Sequence, residues 1–481
     1  VSNRLRSSRA SVLFLAAVLA ACGERSPREP AGLEHRTAAS AATPLDAYVR
    51  APDPSYAFRP IAHVDGEGYV THVLEMTSQT WRAPDEVDRT LWKHWLFIVV
   101  PDGASSRTAL LYLTGGSNDD PPPADADPAR RTLALATHAV VAELRMVPNE
   151  PLLFAGESES RREDGLIAYG WDQFLRRGDP LWLPQLPMTK SAVRAMDTVT
   201  AFCASADGGG LVVDRFVVAG RSKRGWTSWT TAAVDDRVVA VVPVVIDLLN
   251  LEQSFRHHYD VYGFWSPAIG NYTKLGIPDW FGTPEMAALA AIIEPYSYRA
   301  RLTLPKLIVN ATGDPFFQPD SSRLYFAELP GEKLLRYVPN AGHDVEPEDL
   351  LASLVPFYRA IVENAPLPSC SWSFEGNDTI VVRGVEPRAS SARVWQASNP
   401  AARDFRIDTL GPAWTSRELA SEKDGAWVAR IAPPREGWTA FFVELTVPSD
   451  GDDPHILTTD VRVVPDTLPF AGTLAPGTRR P

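Results

Sequence analysis

The chain has 481 residues, enough for one large domain and a smaller one. Hydrophobic residues make up 45% and charged residues 22%, which fits a globular protein and excludes a disordered chain. A net charge of -12 excludes a role built on nucleic-acid phosphates, which calls for a surplus of Lys and Arg.

The first segment, "NRLRSSRASVLFLAAVLAAC", sets Arg4, Arg6 and Arg9 before an apolar run over 12–21. Such a run is too short to span a bilayer and reads as a secretory signal peptide. It ends in Leu19-Ala20-Ala21-Cys22, which resembles a bacterial lipoprotein signal. Residues 1–21 are therefore expected to be removed and Cys22 to be lipidated. That implies an exported protein of the cell envelope, at the outer membrane, touching lipid only through this anchor. A plain signal peptide with a chance cysteine is the alternative. Residues 22–44 are polar, aperiodic and rich in Ala and Pro, as in a flexible tether.

From 45 to 365 short apolar runs alternate with helical patterns, as expected for βαβ units around a mostly parallel sheet. Strands are predicted at 70–76, 95–101, 108–116, 139–147, 215–220, 238–247, 305–312 and 333–340. Helices are predicted at 190–204, 225–234, 319–329 and 348–365. The strands are near-continuous in Val, Ile and Leu, so both their faces are expected to be buried. Eight such strands with intervening helices match the α/β-hydrolase layout. The aromatic-rich insertion 248–304 is expected to cap the carboxyl ends of the strands, where ligands bind in open α/β sheets. Residues 366–466 hold strand patterns separated by Gly, Pro and Asp turns, with no helix between them, and read as an antiparallel β-sandwich. Residues 467–481 read as a disordered tail.

A serine hydroxyl becomes a nucleophile when a base takes its proton and an acid orients that base. In α/β-hydrolases the three follow strands in the order Ser, Asp or Glu, His. Here Ser222 follows "RFVVAG" and opens a helix. Asp314 follows "PKLIVNAT", and His343 follows "KLLRYVPN". Asp247 ends the preceding strand and is the second candidate for the acid. Each residue also has a plainer reading. Ser222 could cap a helix, Asp314 could serve a turn, and His343 could be structural.

The turn reads Gly220-Arg221-Ser222-Lys223-Arg224-Gly225, with the second glycine one place later than in G-x-S-x-G. It is similar to the elbow of glucuronoyl-esterase-like carbohydrate esterases. That likeness suggests an oxyanion role for the Lys223 side chain beside its backbone N–H. A second donor is expected from "LTGGSND", which supplies Gly115, Gly116 and Ser117, with Gly116 and Ser117 preferred, although a simple tight turn would also use these residues. In the cap, His258, Tyr262 and Trp265 are the candidate substrate contacts. The aromatic residues around them serve either as cap core or as a substrate platform. Cys203 and Cys370 are a possible disulfide or two buried thiols. No paired Cys or His has metal-ligand spacing, and no metal or cofactor is called for.

With these residues in place, the sequence resembles the PhoPQ-activated pathogenicity-related protein family from about Leu45 to Asp466. The resemblance rests on stretches such as "VDRTLWKHWLFIVVP", "VAGRSKRGWTSWTTAAVDDRV", "HHYDVYGFWSPAIGNY" and "DSSRLYFAELPGEKLLRYVPNAGH". It implies an α/β-hydrolase fold with the same serine triad. A eukaryotic relative is a secreted growth repressor likened to dipeptidyl peptidases. The expected activity is cleavage of an ester, including a carbohydrate ester. A serine peptidase is the second reading, and a non-catalytic binding or signalling module on a hydrolase scaffold is the third.

Overall fold

The computed structural model describes residues 42–449 and 451–474. The expected leader, Cys22, most of the expected tether and residues 475–481 lie outside the described residues. Within them, no helix is long and apolar enough to cross a membrane.

A nine-stranded sheet forms the centre. Its strands are β1 (Ala57–Gly66), β2 (Tyr69–Thr80), β3 (Leu91–Pro101), β4 (Thr108–Leu113), β5 (Val141–Leu144), β6 (Arg215–Arg221), β7 (Val238–Val244), β8 (Lys306–Ala311) and β9 (Lys333–Val338). They run in the order β1-β2-β3-β5-β4-β6-β7-β8-β9. From β5 to β9 neighbours are parallel, while β1, β2 and β3 are antiparallel. Leaving out β1, this is the α/β-hydrolase order, and the eight predicted strands are its members. β1 escapes prediction because it is a polar edge strand, with Pro60 beside a register shift and no buried residue. β4, β5 and β8 are buried along their whole length, which is why they read as unbroken apolar runs.

Helices α1 (Pro44–Arg50), α2 (Pro128–Thr137), α3 (Glu163–Arg177), α4 (Gln185–Ala204) and α5 (Lys223–Val234) flank the sheet. The cap carries α6 (Leu251–Tyr262), α7 (Gly270–Lys274) and α8 (Pro284–Ile293), and α9 (Pro347–Glu363) follows β9. α1, α3, α4 and α5 share one core layer with the cap, while α2 and α9 fill the other. Along β4 and β6 the pleat sends Leu111 and Val218 to the first layer, and Leu110 and Val217 to the second. α3 carries little helical period in sequence because residues 166–175 are all buried. The helix expected at 319–329 is instead two 3₁₀ turns, Ser321–Leu324 and Phe326–Glu328. Tertiary bonds override helix propensity there: Ser322 donates to Asp460 (2.6 Å), and Asp320 accepts from Arg403 (2.7 Å).

The C-terminal strands are β10 (Ser369–Glu375), β11 (Thr379–Glu386), β12 (Ser391–Asn399), β13 (Thr415–Glu418), β14 (Trp427–Arg430), β15 (Trp438–Val447), β16 (His455–Thr458) and β17 (Arg462–Val464). They form two antiparallel sheets, β10-β11-β14 and β13-β12-β15-β16, with β17 beside β15. Alternate residues of β15 face opposite ways. Phe441, Val443 and Leu445 join the core that holds Ile380 and Val382 of β11, whereas Phe442 turns to Tyr337 on β9. The short helix α10 (Ile407–Leu410) lies in the β12–β13 connection. Of the expected tail, residues 467–474 are described, and the Phe470 N–H donates to the Asp260 carbonyl (2.9 Å). Cys203 and Cys370 are free thiols.

Candidate active site

Three strand ends converge on the site. Arg221, the last residue of β6, pairs with Val244 at the end of β7, and the Ser222 N–H donates to the Val244 carbonyl (2.8 Å). Ser222 then takes φ 56°, ψ -127°, a backbone conformation disfavoured for any residue with a side chain, before α5 begins at Lys223. Its hydroxyl makes no capping hydrogen bond to α5, so the capping reading of Ser222 does not hold.

The displaced glycine has a steric reason. A Cβ on Gly220 would lie 2.7 Å from the Arg224 carbonyl oxygen, and one on Gly225 would lie 2.8 Å from the Gly220 oxygen. The first turn of α5 thus packs directly on the strand it follows, and Gly225 takes the part of the second glycine of the usual motif.

Asp314 and His343 sit on the loops after β8 and β9. The Asp314 carboxylate is buried; Oδ1 accepts the Phe316 N–H (2.8 Å) and Oδ2 lies 2.8 Å from His343 Nδ1. The Phe316 ring covers the imidazole, with centroids 4.4 Å apart. With Nδ1 held by Asp314, Nε2 is the ring nitrogen left for a reacting group. The Gly313 N–H donates to the Ala341 carbonyl (2.9 Å) and ties the two loops together. Arg221 also donates to the Val345 carbonyl, which joins the serine turn to the histidine loop. Ser222, His343 and Phe316 line one open cleft with Gly115, Glu163 and Lys223.

The second acid candidate is placed otherwise. Asp247 is fully buried and accepts from the hydroxyls of Tyr325 and Tyr337, both at 2.6 Å. Burial pushes its carboxyl up to about 8. Its two oxygens are taken by phenols, and it has no recorded bond to His343.

The oxyanion candidates are redistributed. Lys223 Nζ lies 2.5 Å from Glu163 Oε2 and 3.4 Å from Asp164 Oδ1, so its ammonium is held in an ion pair. The Ser117 N–H donates to Asp120 Oδ2 (2.7 Å), and Gly116 packs against Met146. Neither Gly116 nor Ser117 is among the residues that line the cleft; Thr114 and Gly115 are. A Cβ on Gly115 would meet Arg224 Nη2 at 2.4 Å, so a side chain there would displace the guanidinium from its place beside Glu163.

Arg224 grips Glu163 with both nitrogens, at 2.8 and 2.6 Å, and donates Nε to the Val147 carbonyl. Burial works against the Glu163 anion, yet hydrogen bonds and charge from Arg224 and Lys223 hold its carboxyl well below the usual range. Glu150, buried beside it, is pushed up by that burial and by the Glu163 charge. This acid–base cluster was missed in the sequence. Its signal was two consecutive cations in the serine turn, which require carboxylates from elsewhere once the turn is packed.

Of the cap candidates, His258 reaches the site and two do not. A second, largely apolar chamber opens at Ser222 behind the cleft, and His258 lines it. Its Nε2 accepts the Ser266 N–H (3.0 Å), and it bonds the Phe316 backbone through the other nitrogen. Tyr262 and Trp265 pack against His258, at 4.9 and 5.8 Å between ring centroids, outside the chamber wall. They form cap core.

The chain is 38% identical over 458 residues to autocrine proliferation repressor protein A of Dictyostelium discoideum, covering 89% of this chain and 92% of that protein. Among solved structures, the acetyl xylan esterase from Paenibacillus sp. R4 gives a TM-score of 0.47 at 15% identity, over 67% of this chain and 92% of that one. A glucuronoyl esterase from Solibacter usitatus gives 0.38 at 14% identity, over 64% and 89%. The family model of the PhoPQ-activated pathogenicity-related proteins matches residues 45–406, which hold the whole nine-stranded sheet, the serine turn, both loops and the cap, and the chain belongs to that family.

Proposed function

We propose that this protein is an exported serine hydrolase that cleaves an ester through an acyl-enzyme. The observation that carries the proposal is the strained backbone of Ser222, with its hydroxyl free of the helix it opens, in one cleft with a histidine whose Nδ1 is held by a buried aspartate.

In the first step Ser222 Oγ attacks the ester carbonyl while His343 Nε2 takes its proton. Asp314 holds the imidazole in the required tautomer and steadies its positive charge. The tetrahedral oxyanion faces the first amides of α5, starting with the Lys223 N–H, and the N–H of Gly115. The C–O bond then breaks and the alcohol leaves with the proton from His343. Water, deprotonated by His343, attacks the acyl-Ser222 ester, releases the acid and restores the hydroxyl. The chemistry needs no metal or cofactor.

The runner-up is a peptidase that reads a substrate amino terminus. Such an enzyme needs carboxylates free to pair with the substrate amine. Glu163 and Asp164, which line the cleft with Ser222, are already matched by Lys223 and Arg224, which favours the ester. The amino-terminal segment supports export and a lipid anchor at Cys22. Globomycin should block maturation, and Cys22→Ala should release the protein from the membrane fraction.

The test is covalent labelling with a fluorophosphonate, followed by mapping of the modified peptide. The adduct should fall on Ser222 and vanish in Ser222→Ala. A folded wild-type protein that takes no label and turns over no ester would leave the binding-module alternative standing.

A further inference from the structure

Two spaces meet at Ser222, and they differ in kind. The open cleft carries His343 together with Arg221, Glu163 and Asp344. The chamber behind it lies between α3, α4, α5 and the cap, and His343 is absent from its wall. Its walls are mainly apolar, with Ile167, Met188, Trp226, Ile246, Phe255 and Phe317 among them.

If His343 is the proton donor, the leaving alcohol must lie on the His343 side of the reacting carbonyl. That side is the open cleft. The acyl group must then point the other way, into the chamber. We propose that the chamber is the acyl subsite, and that it selects an uncharged, largely apolar acyl group carrying one hydroxyl. This rests on the serine-hydrolase reading above and deepens it.

Two features define the class. The first is neutrality. His258 is pushed down to about 3 by burial and stays uncharged, with both nitrogens engaged. Asp247 is fully buried and capped by two phenols. Lys223 and Asp164, at the mouth, compensate each other. A charged acyl tail would find no counter-ion inside. The second is a pair of amides. Gln185 on α4 is 4% exposed and Gln318, on the loop after Asp314, is 2% exposed, and both line the chamber. Gln185 Oε1 has no hydrogen-bond partner in the protein. Gln318 reaches toward the Tyr262 hydroxyl, but its Nε2 makes no hydrogen bond of normal geometry. These buried amide atoms lack a partner in side chains that line the chamber, and a rotation of either amide would present it to a matching ligand group. A hydroxyl serves either an open acceptor or an open donor, so the inference does not depend on which way each amide is turned.

The experiment compares kcat/KM of the full chain for p-nitrophenyl acetate, 3-phenylpropanoate, 3-(4-hydroxyphenyl)propanoate and hemisuccinate, with fluorophosphonate labelling of the same preparation. The phenylpropanoate should exceed the acetate by about 10-fold or more, since filling an apolar pocket strengthens transition-state binding. The hydroxyphenyl ester should exceed it again, by about 5-fold, and the charged hemisuccinate should fall below the acetate. Gln185→Leu should reduce the ratio of the two aryl esters toward one. Ile269→Trp, which narrows the chamber from the cap, should reverse the preference toward acetate. Melting temperatures identify any variant that fails to fold, and either variant alone is sufficient. Labelled Ser222 with equal rates across the series, or with the hemisuccinate preferred, overturns the acyl subsite and leaves the hydrolase intact. Absence of both label and turnover overturns the hydrolase itself.

Discussion

Ile407 donates its backbone N–H to the carbonyl of Gly313 (2.9 Å), and its side chain fills the space that a Cβ on Gly313 would occupy. The same side chain sits 3.2 Å from where a Cβ on Gly342 would be. Gly313 precedes Asp314 and Gly342 precedes His343, so one residue of the β12–β13 connection wedges both loops. Asn340 adds a second tie: its side chain donates to the Trp414 carbonyl (2.9 Å) and accepts the Trp414 N–H (2.8 Å). Ile407→Gly should therefore lower kcat by about 10- to 100-fold, the penalty for a misplacement on the order of 1 Å, with little change in KM. Ile407→Val should stay near wild type. Loss of KM with kcat intact would place the wedge in substrate binding instead.

Ser222 predicts an unusual stability ranking. Its φ of 56° strains any side-chain-bearing residue, while glycine accepts it. Ser222→Gly and Ser222→Ala should both abolish turnover, yet Ser222→Gly should be the more stable by about 1 kcal/mol, or roughly 2–4 °C in Tm. Thermal melts of the two variants side by side decide this.

The Lys223 side chain is expected to matter less than its backbone. Because Nζ is held by Glu163 and Asp164, Lys223→Met should change kcat by less than about 10-fold, well under the loss typical of an oxyanion donor. Arg224→Met should instead destabilise the fold by about 2 kcal/mol, because it strips Glu163 of its bidentate partner. Adding Glu163→Gln should recover part of that loss in denaturant titrations.

Asp247 and Asp314 separate by pH and by activity. Asp314→Asn should cost several powers of ten in turnover with the fold intact. Asp247→Asn should act on stability. The Asp247 carboxyl is raised to about 8, above its unfolded value, so it binds a proton more readily when folded. Its contribution is fully present below about pH 4 and is lost as pH rises toward 8. Wild type should therefore lose Tm relative to Asp247→Asn between pH 5 and 8, by about 5 °C. Parallel curves for the two proteins would refute the assignment.

The sheet was legible because its strands are buried on both faces and carry unbroken apolar runs. Ser222, Asp314 and His343 were legible because each closes such a run. β1 was not, since an edge strand needs no apolar face. α3 was not, since a helix buried all round loses its period. The glycine pair after β4 was legible as a turn, but its sequence does not say which glycine faces the cleft; Gly115 lines it and Gly116 does not. Ile407 had no local signal at all: an isoleucine in a turn of the C-terminal region becomes a wedge only through long-range packing.

The wedge also orders events in time. Ser222, Asp314 and His343 all precede Ile407 and Trp414 in the chain, and a chain is made from its amino end. Every side chain of the proposed triad thus emerges before the parts that set its position. A nascent or proteolytically shortened molecule would carry all its chemistry in slack loops, so activity becomes a report that the carboxyl-terminal sheets have docked.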